Sequence, residues 1–251
     1  MPGARFDFWV AALTAAATAI SFVMAVLTLP RSGPFCVDGC VGYPYVDIVA
    51  YIPGDFLWMY PALLPAPLFV VMLNGLHERV APDYARFSRL ALAFAMMAAA
   101  MLAADYVIQL RVIQPAVFKG EIDGLAPLTQ YNPHGVFIAL EEAGYVGLAV
   151  SFLFAGMALS GDARYRLVRE VFIGGFATVA VLFTALSVAY GFDLEYRFEV
   201  AAIAVDWTVL IVTGSLLAFA YRAEAEPGAN VTVRTAAAPS VSSIARSGTD
   251  R

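Results

Sequence analysis

The best candidates for functional residues in this sequence are ionisable side chains inside long apolar segments. Asp105, Glu141, Glu142 and Asp206 each lie a few residues within a stretch that carries almost no other charge. An ionisable residue in a membrane-spanning helix is costly in free energy, so it marks a functional position by default. Clustered carboxyls suit proton-coupled binding of a cationic or polar ligand, because like charges held close together cannot all ionise.

Helical spacing adds polar partners to these carboxyls. Residues three, four or seven apart lie on one face of a helix, so Gln109 joins Asp105 and Glu199 joins Asp206. At the start of the fourth apolar segment, one predicted helix face carries His134, Glu141 and Tyr145. The predicted ligand-binding or proton-binding residues are therefore Asp105, Gln109, His134, Glu141, Glu142, Tyr145, Glu199 and Asp206.

A purely structural role is the alternative for the same carboxyls. Asp105 can form an ion pair with Arg111 or Arg197 that fixes the packing of helices. The two glutamates at the start of the fourth apolar segment can be solvated acids near a helix N-terminus, where negative charge is favoured. The roles differ in one observable, because transport requires a polar cavity that reaches from the outer face past Asp206.

Six apolar segments are long enough to position these residues across a membrane. A spanning helix needs about 20 mostly apolar residues, and lipid forces the backbone to satisfy its polar groups within each segment. The predicted fold class is an all-α, polytopic transmembrane helix bundle with six spanning helices and no soluble domain. Its spans are 8–29, 56–76, 90–110, 135–159, 171–190 and 200–221, and the polar residues 223–251 are predicted to form a disordered cytoplasmic tail.

Composition agrees with this fold class. The chain has 251 residues, of which 61% are apolar and 14% charged, and its formal net charge is −5. Soluble domains carry about 25% charged residues. These values exclude a secreted disulfide scaffold, a nucleic-acid binder led by basic patches and a disordered chain.

Two scarce residue types exclude further classes. Lys119, the only lysine, lies in a predicted outer loop, and no phosphate-binding loop motif occurs, which excludes a rhodopsin-like Schiff base and an ATP-driven pump. His77 and His134, the only histidines, fall at opposite ends of the predicted bundle, which argues against haem held by two histidines. No metal or cofactor is predicted. The predicted partners are the lipid bilayer and a small cationic or polar ligand, and the oligomeric state is open.

The basic residues predict an orientation in the cell membrane. Cytoplasmic loops carry an excess of Lys and Arg. With the N-terminus in the cytoplasm, the outer segments hold only Arg31, Arg111, Lys119 and Arg197 of the 15 basic residues. Both termini are therefore predicted to be cytoplasmic. The first segment is longer than the apolar core of a signal peptide, so we expect an uncleaved helix.

The first outer loop contains a cysteine pair and an aromatic, proline-rich stretch. Cys36 and Cys40 are predicted to form a disulfide, with free thiols or a metal site completed by His134 as alternatives. Trp58 is typical of an interfacial aromatic belt, or alternatively of a wall on which a ligand stacks. Prolines at 61, 65 and 67 are expected to kink the second span.

Three stretches resemble those of a known group of proteins: "YIPGDFLWMYPALL", "TQYNPHGVFIALEEAGY" and "YRFEVAAIAVDW". They are similar to segments of uncharacterised prokaryotic six-span membrane proteins, and the resemblance runs from about Tyr43 to Arg222. It implies a membrane bundle, and it carries no activity or residue role.

Three functions remain open. The leading interpretation is binding or transport of a small cationic or polar ligand, with proton coupling, at an acidic site in the outer third of the bundle. The second is a membrane enzyme acting on a lipid or extracytoplasmic substrate, with His134 as general base and Glu141 or Glu142 as acid. It requires His134 within about 3.2 Å of a carboxylate at an accessible pocket. The third is a structural subunit of a larger membrane complex.

Overall fold

A computed structural model describes residues 2–225 and shows only helices joined by turns and loops, with no strand in that range. Six of its helical segments are long and apolar enough to cross a membrane. The predicted all-α, six-span fold class is confirmed. The helices are α1 (Pro2–Leu27), α2 (Met59–Ala62), α3 (Pro65–His77), α4 (Ala85–Ile108), α5 (Gln114–Lys119), α6 (Val136–Ala158), α7 (Arg166–Tyr190) and α8 (Arg197–Ala225).

The predicted tail falls almost wholly on residues 226–251, which lie outside the described residues. Its first residues differ from the prediction, because α8 continues as a helix to Ala225. The tail therefore stays a prediction.

The long helices form a closed ring. Contacts run from α1 to α3, α4, α6, α7, α8 and back to α1, and α6 also packs across the ring against α8. We call the end that holds residues 28–58, 120–135 and 191–196 the disulfide end. We call the opposite end, near Pro2 and Ala225, the terminal end. The carboxyls of interest lie in the half of the bundle nearer the disulfide end.

Proline breaks the second span, as the sequence predicted. The short α2 ends at Ala62, and α3 begins at Pro65 after a turn. A proline is tolerated at the first position of a helix, because its missing N–H would have no partner there. The break lets residues 54–58 turn inward, so Trp58 is buried within the bundle rather than placed in an interfacial belt. The belt prediction for Trp58 is wrong.

The third span is longer than predicted. α4 passes at Gln109–Ile113 through a π-helical turn into α5, so helical structure continues to Lys119. Arg111 therefore lies on this helix and not in a loop. Turns of this kind occur frequently at functional sites. Here the turn directs Gln109 toward the neighbouring loop.

Helices α1 and α8 approach each other at backbone distance. A Cβ atom added to Gly214 would lie 2.9 Å from the carbonyl oxygen of Ala11 and 3.1 Å from the amide nitrogen of Ala15. Small residues at helix contacts allow this close approach in membranes, where packing rather than the hydrophobic effect drives association.

Replacing Gly214 with alanine is expected to destabilise the protein, because the added methyl group meets backbone atoms that cannot move aside. Overpacking of this kind costs roughly 1–3 kcal/mol. The matched control is Gly174→Ala on α7, where an added Cβ has nothing within 4 Å. Unfolding of the purified proteins in a titration with sodium dodecyl sulfate measures both. Equal stability of the two variants would contradict the close packing of α1 on α8.

Candidate functional site

Acidic side chains from three helices lie buried in the half of the bundle nearer the disulfide end. Asp105 of α4, Glu141 of α6 and both Glu199 and Asp206 of α8 are at most 7% exposed. A buried carboxyl needs partners, because taking it out of water costs several kcal/mol unless it is bonded or neutral. The partners that these side chains find, and those they lack, define the candidate site.

Glu141 is the centre of the buried group. Tyr106 of α4 donates a hydrogen bond of 2.7 Å from its hydroxyl to Oε1 of Glu141, and the same hydroxyl lies 2.7 Å from the hydroxyl of Tyr145. The Glu141 carboxyl is also close enough to the Glu199 carboxyl for the two to interact electrostatically. Asp105 is close enough to interact with both glutamates electrostatically.

The closeness of Glu141 and Glu199 has a chemical consequence. Two carboxyl groups that share a site favour a state in which one of them holds a proton, because two like charges repel each other. Oε2 of each glutamate is buried and has no hydrogen-bond partner among the described residues. The pair is therefore a site at which a proton could be held or exchanged.

A cavity of about 590 Å³ lies beside Glu199. This volume is within the range of small-molecule sites, about 300–1,000 Å³. Its walls come from α1, from the first turns of α6 and α8, and from the loops of the disulfide end. Most of the lining is apolar, with Phe22, Ile138 and Ile203 among it. Trp58 also lines the cavity and packs 5.4 Å from Tyr106, measured between ring centroids.

Side chains from two loops line the cavity at the disulfide end. The hydroxyl of Tyr196 donates a hydrogen bond of 2.9 Å to the carbonyl oxygen of Gln130. The hydroxyl of Ser32 lies 2.7 Å from the same Tyr196 hydroxyl. Burial raises the pKa of Tyr196 well above its usual range, so this tyrosine stays a neutral donor. We call Ser32, Gln130 and Tyr196 the cap.

An ion pair lies beside the cap on the cavity wall. The Nε atom of Arg31 is 3.6 Å from Oδ2 of Asp55, and the Tyr131 hydroxyl donates a hydrogen bond of 3.0 Å to the same oxygen. Burial is the main cause that raises the pKa of Tyr131, so its hydroxyl remains protonated as a donor. Arg31 and Asp55 offset each other in charge, which leaves Glu199 as the acid of the lining without a basic partner.

Asp206 lies apart from the cavity. Its side chain is fully buried, and neither carboxyl oxygen has a hydrogen-bond partner among the described residues. Tyr145 is close enough to interact electrostatically with Asp206. Asp206 therefore lies next to the hydrogen-bonded pair of Tyr106 and Tyr145. The cavity is lined on α8 by Glu199, Ile203 and Ala204, and its lining does not include Asp206. The cavity is mainly apolar and stops short of Asp206, so the expectation of a polar cavity reaching past Asp206 is not met.

Ion pairs do not account for the buried acids in the described part of the chain. Arg197 bonds Glu195 at 2.7 Å. Arg111 is exposed on its helix and forms no ion pair with Asp105 or Asp206. The structural alternative, in which Arg111 and Arg197 neutralise these two acids, is contradicted because both arginines are directed elsewhere.

Three further predicted residues lie outside the buried group. Gln109 is fully buried, and it bonds the loop backbone at Leu128 and Gln130, which makes it a positioning residue for the cap. Glu142 is half-buried on α6 and is not part of the cavity wall. His134 is exposed and precedes α6, so it does not share a helix face with Glu141.

The environment of His134 does not match the enzyme interpretation. Its Nε2 atom lies 2.9 Å from Oδ1 of Asp193, not beside Glu141 or Glu142, and the pair is exposed on the loop surface. Glu195 is near this pair, so that His134, Asp193 and Glu195 could all contact one metal ion. The carboxylate of Glu195, however, already forms an ion pair with Arg197. His134 does not line the cavity beside Glu199.

The structure also assigns roles to residues that sequence reasoning missed. Tyr106 directly follows Asp105 in the sequence and supplies the hydrogen bond to Glu141. Asp55, Tyr131 and Tyr196 belong to loops, where spacing carries no information on contacts. Only Tyr106 had a detectable signal, namely a hydroxyl adjacent to an acid inside an apolar helix. Cys36 and Cys40 are joined by a disulfide.

Comparisons of the chain with protein-family models, with curated proteins and with solved structures find no match. The resemblance to prokaryotic six-span proteins therefore extends to six long apolar helices and to no identified family. The chain is a multi-pass helical membrane bundle with buried acidic residues.

Proposed function

We propose that this protein binds a small cationic or polar ligand in the cavity beside Glu199 and transports it by a conformational change that extends this cavity past Asp206. One observation carries the proposal. Glu199 is a buried acid that lines a cavity of ligand size, and its Oε2 atom accepts no hydrogen bond from a donor of the described residues. A cation or a hydrogen-bond donor in the cavity would supply the missing partner, and such charge-assisted bonds contribute about 1.5–3 kcal/mol.

We further propose that the disulfide end faces outward, with both termini in the cytoplasm. Two independent features support this orientation. The basic residues favour the terminal end, in line with the positive-inside tendency. The disulfide of Cys36 and Cys40 lies at the other end, and such bonds persist in oxidising compartments outside the cytoplasm. The cavity is then an outward-facing site.

Proton coupling is the remaining part of the proposal. A cation bound at Glu199 would displace a proton held by the Glu141–Glu199 pair. Tyr106 and Tyr145 link Glu141 toward Asp206, deeper in the bundle. Buried carboxyls joined by hydroxyl groups are the usual components of proton relays in transporters. Ligand binding and proton release would thus occur at one pair of side chains.

Substitution of Glu199 with glutamine is the decisive test of the binding site. We expect binding of a quaternary ammonium ion to weaken at least tenfold, because the loss of one charge-assisted contact of about 1.4 kcal/mol corresponds to that factor. The probes are tetramethylammonium and dodecyltrimethylammonium. The second is used below its critical micelle concentration. Isothermal titration calorimetry on the purified protein in lipid nanodiscs measures the dissociation constants.

Glu170→Gln is the matched control for this substitution. Glu170 is an exposed acid near the start of α7 that does not contribute to the cavity wall, so its loss is expected to leave the affinity unchanged. The proposal fails if neither ammonium ion binds the unmodified protein. It also fails if Glu199→Gln and Glu170→Gln bind the probes as tightly as each other.

A further inference from the structure

The cavity beside Glu199 is lined toward the disulfide end by polar groups that are already paired. The cap contributes the contacts of Tyr196 to Ser32 and Gln130. The Arg31–Asp55 pair and Tyr131 add a second set of contacts next to the cap. Paired polar groups offer little to an apolar ligand, so the route of entry for such a ligand is sought on the sides of the bundle.

The cavity has an apolar, exposed rim between α1 and α8. Val26 and Leu29 at the end of α1 are 71% and 64% exposed, and Val200 in the first turn of α8 is 47% exposed. All three belong to the cavity wall, and Val26 and Val200 lie within candidate membrane spans. Exposed apolar side chains on a spanning helix face lipid tails. The rim therefore opens the cavity to the bilayer rather than to water.

The interior of the cavity sets the chemistry of its occupant. Arg31, Asp55, Glu199, Tyr131 and Tyr196 are its titratable groups. Arg31 and Asp55 pair with each other, and both tyrosines are neutral donors, so Glu199 is the remaining acid of the lining without a basic partner. The rest of the lining is mainly aliphatic and aromatic. A molecule with a cationic head at Glu199 and an apolar body along α1 and α8 complements both parts.

We infer that the ligand is a lipid-soluble cationic amphiphile that enters sideways from the bilayer, between the end of α1 and the first turn of α8. This inference rests on the proposed function, because it names the substrate class of the same site. The cationic head reaches Glu199, and the apolar tail remains against Val26, Val200 and the adjacent lipid.

Two ammonium ions that differ only in their tail test the substrate class. Dodecyltrimethylammonium is expected to bind at least tenfold more tightly than tetramethylammonium, after correction for partition of each ion into protein-free nanodiscs. Both ions should lose affinity in Glu199→Gln. Equal affinities of the two ions, with both dependent on Glu199, would overturn the inference and leave the proposed function intact. Absence of binding by either ion would overturn both.

A substitution at the rim tests the route. Val200→Trp places a large ring in the opening and is expected to weaken binding of dodecyltrimethylammonium at least tenfold. Val212→Trp is the matched control, since Val212 is an exposed valine of the same helix and is not part of the cavity wall. Both positions are exposed, so both variants should fold, which size-exclusion chromatography verifies. Unchanged affinity in Val200→Trp, with loss in Glu199→Gln, would exclude the lateral route.

The fluorescence of Trp58 provides an independent readout. 12-Bromododecyltrimethylammonium carries a bromine atom that quenches tryptophan at close contact. We expect a saturable loss of emission in the unmodified protein that is much smaller in Trp58→Phe, because Trp58 lines the cavity. Equal quenching in both proteins would show that the tail does not occupy this cavity and would overturn the inference.

Discussion

Asp206→Asn is expected to abolish proton-coupled uptake while leaving the bundle folded, and Asp206→Leu is expected to make the bundle more stable. Asp206 is fully buried, and neither of its carboxyl oxygens finds a hydrogen-bond partner among the described residues. A buried polar group without a partner costs about 1–3 kcal/mol relative to its interaction with water. Leucine has a similar shape and removes that cost. We therefore expect Asp206→Leu to raise the free energy of unfolding by roughly 1–3 kcal/mol.

The two substitutions separate stability from function. Asparagine keeps the shape and polarity of Asp206 but cannot exchange a proton. If Asp206 receives protons from Glu141 through Tyr106 and Tyr145, both variants lose coupled transport although both remain folded. Functional positions often carry side chains that lower the stability of the fold, because activity and stability can place opposite demands on one residue. The unpaired carboxyl of Asp206 fits this description.

Proteoliposomes provide the measurement. Uptake of dodecyltrimethylammonium is driven by an imposed pH gradient, and the dye pyranine enclosed in the vesicles reports the accompanying movement of protons. Glu170→Gln serves as the control, because this acid is exposed on α7 and is not part of the cavity wall. Uptake and proton movement in Asp206→Asn equal to those of the unmodified protein would refute the relay. A lower unfolding midpoint in Asp206→Leu would refute the argument from the unpaired carboxyl.

The fold could be predicted almost entirely from the sequence, because one physical requirement dominates it. A chain in lipid must satisfy its backbone within each span, so long apolar segments become helices regardless of detail. The boundaries were predicted less well. The third span continues through a π-helical turn to Lys119, whereas the charge of Arg111 predicted its end at residue 110.

The candidate site was predicted in part. Helical periodicity identified Glu141, Tyr145 and Glu199 as residues that face the interior, and the structure places them together with Tyr106. Periodicity says nothing about the loops, so the contacts of Arg31 with Asp55 and of Tyr196 with Gln130 could not be foreseen. His134 was misplaced for the same reason. Its helix face was extrapolated beyond the start of α6, into residues that are not helical.

Arg79 is the second position at which we expect a large effect. It lies just beyond α3 at the terminal end, and its guanidinium is 2.8 Å from Asp7 of α1 and 3.3 Å from Glu224 of α8. It also donates a hydrogen bond of 2.6 Å to the carbonyl oxygen of Gly75 and stacks 4.3 Å over the ring of Tyr221. One side chain therefore joins three helices at the end of the bundle opposite the cavity.

Arg79→Ala is expected to lower the free energy of unfolding by about 3 kcal/mol, because it leaves the largely buried carboxylate of Asp7 without a partner. Arg79→Lys should recover only part of this loss, since a single ammonium group cannot bond Asp7, Glu224 and a carbonyl oxygen in the geometry of a guanidinium. Arg164→Ala is the matched control. Arg164 is 69% exposed and bonds mainly its near neighbour Asp162, so its loss should cost at most about 1 kcal/mol.

Titration with sodium dodecyl sulfate measures all three variants, and ligand binding adds a second readout. The Arg79 contacts lie at the terminal end, remote from the cavity. Arg79→Ala should therefore lower the free energy of unfolding. The folded variant should nevertheless bind dodecyltrimethylammonium at Glu199 with unchanged affinity. If Arg79→Ala instead alters affinity at constant stability, the three-helix junction is coupled to the cavity and acts on transport rather than on folding. If Arg79→Ala is no less stable than Arg164→Ala, the junction contributes no more than a surface ion pair.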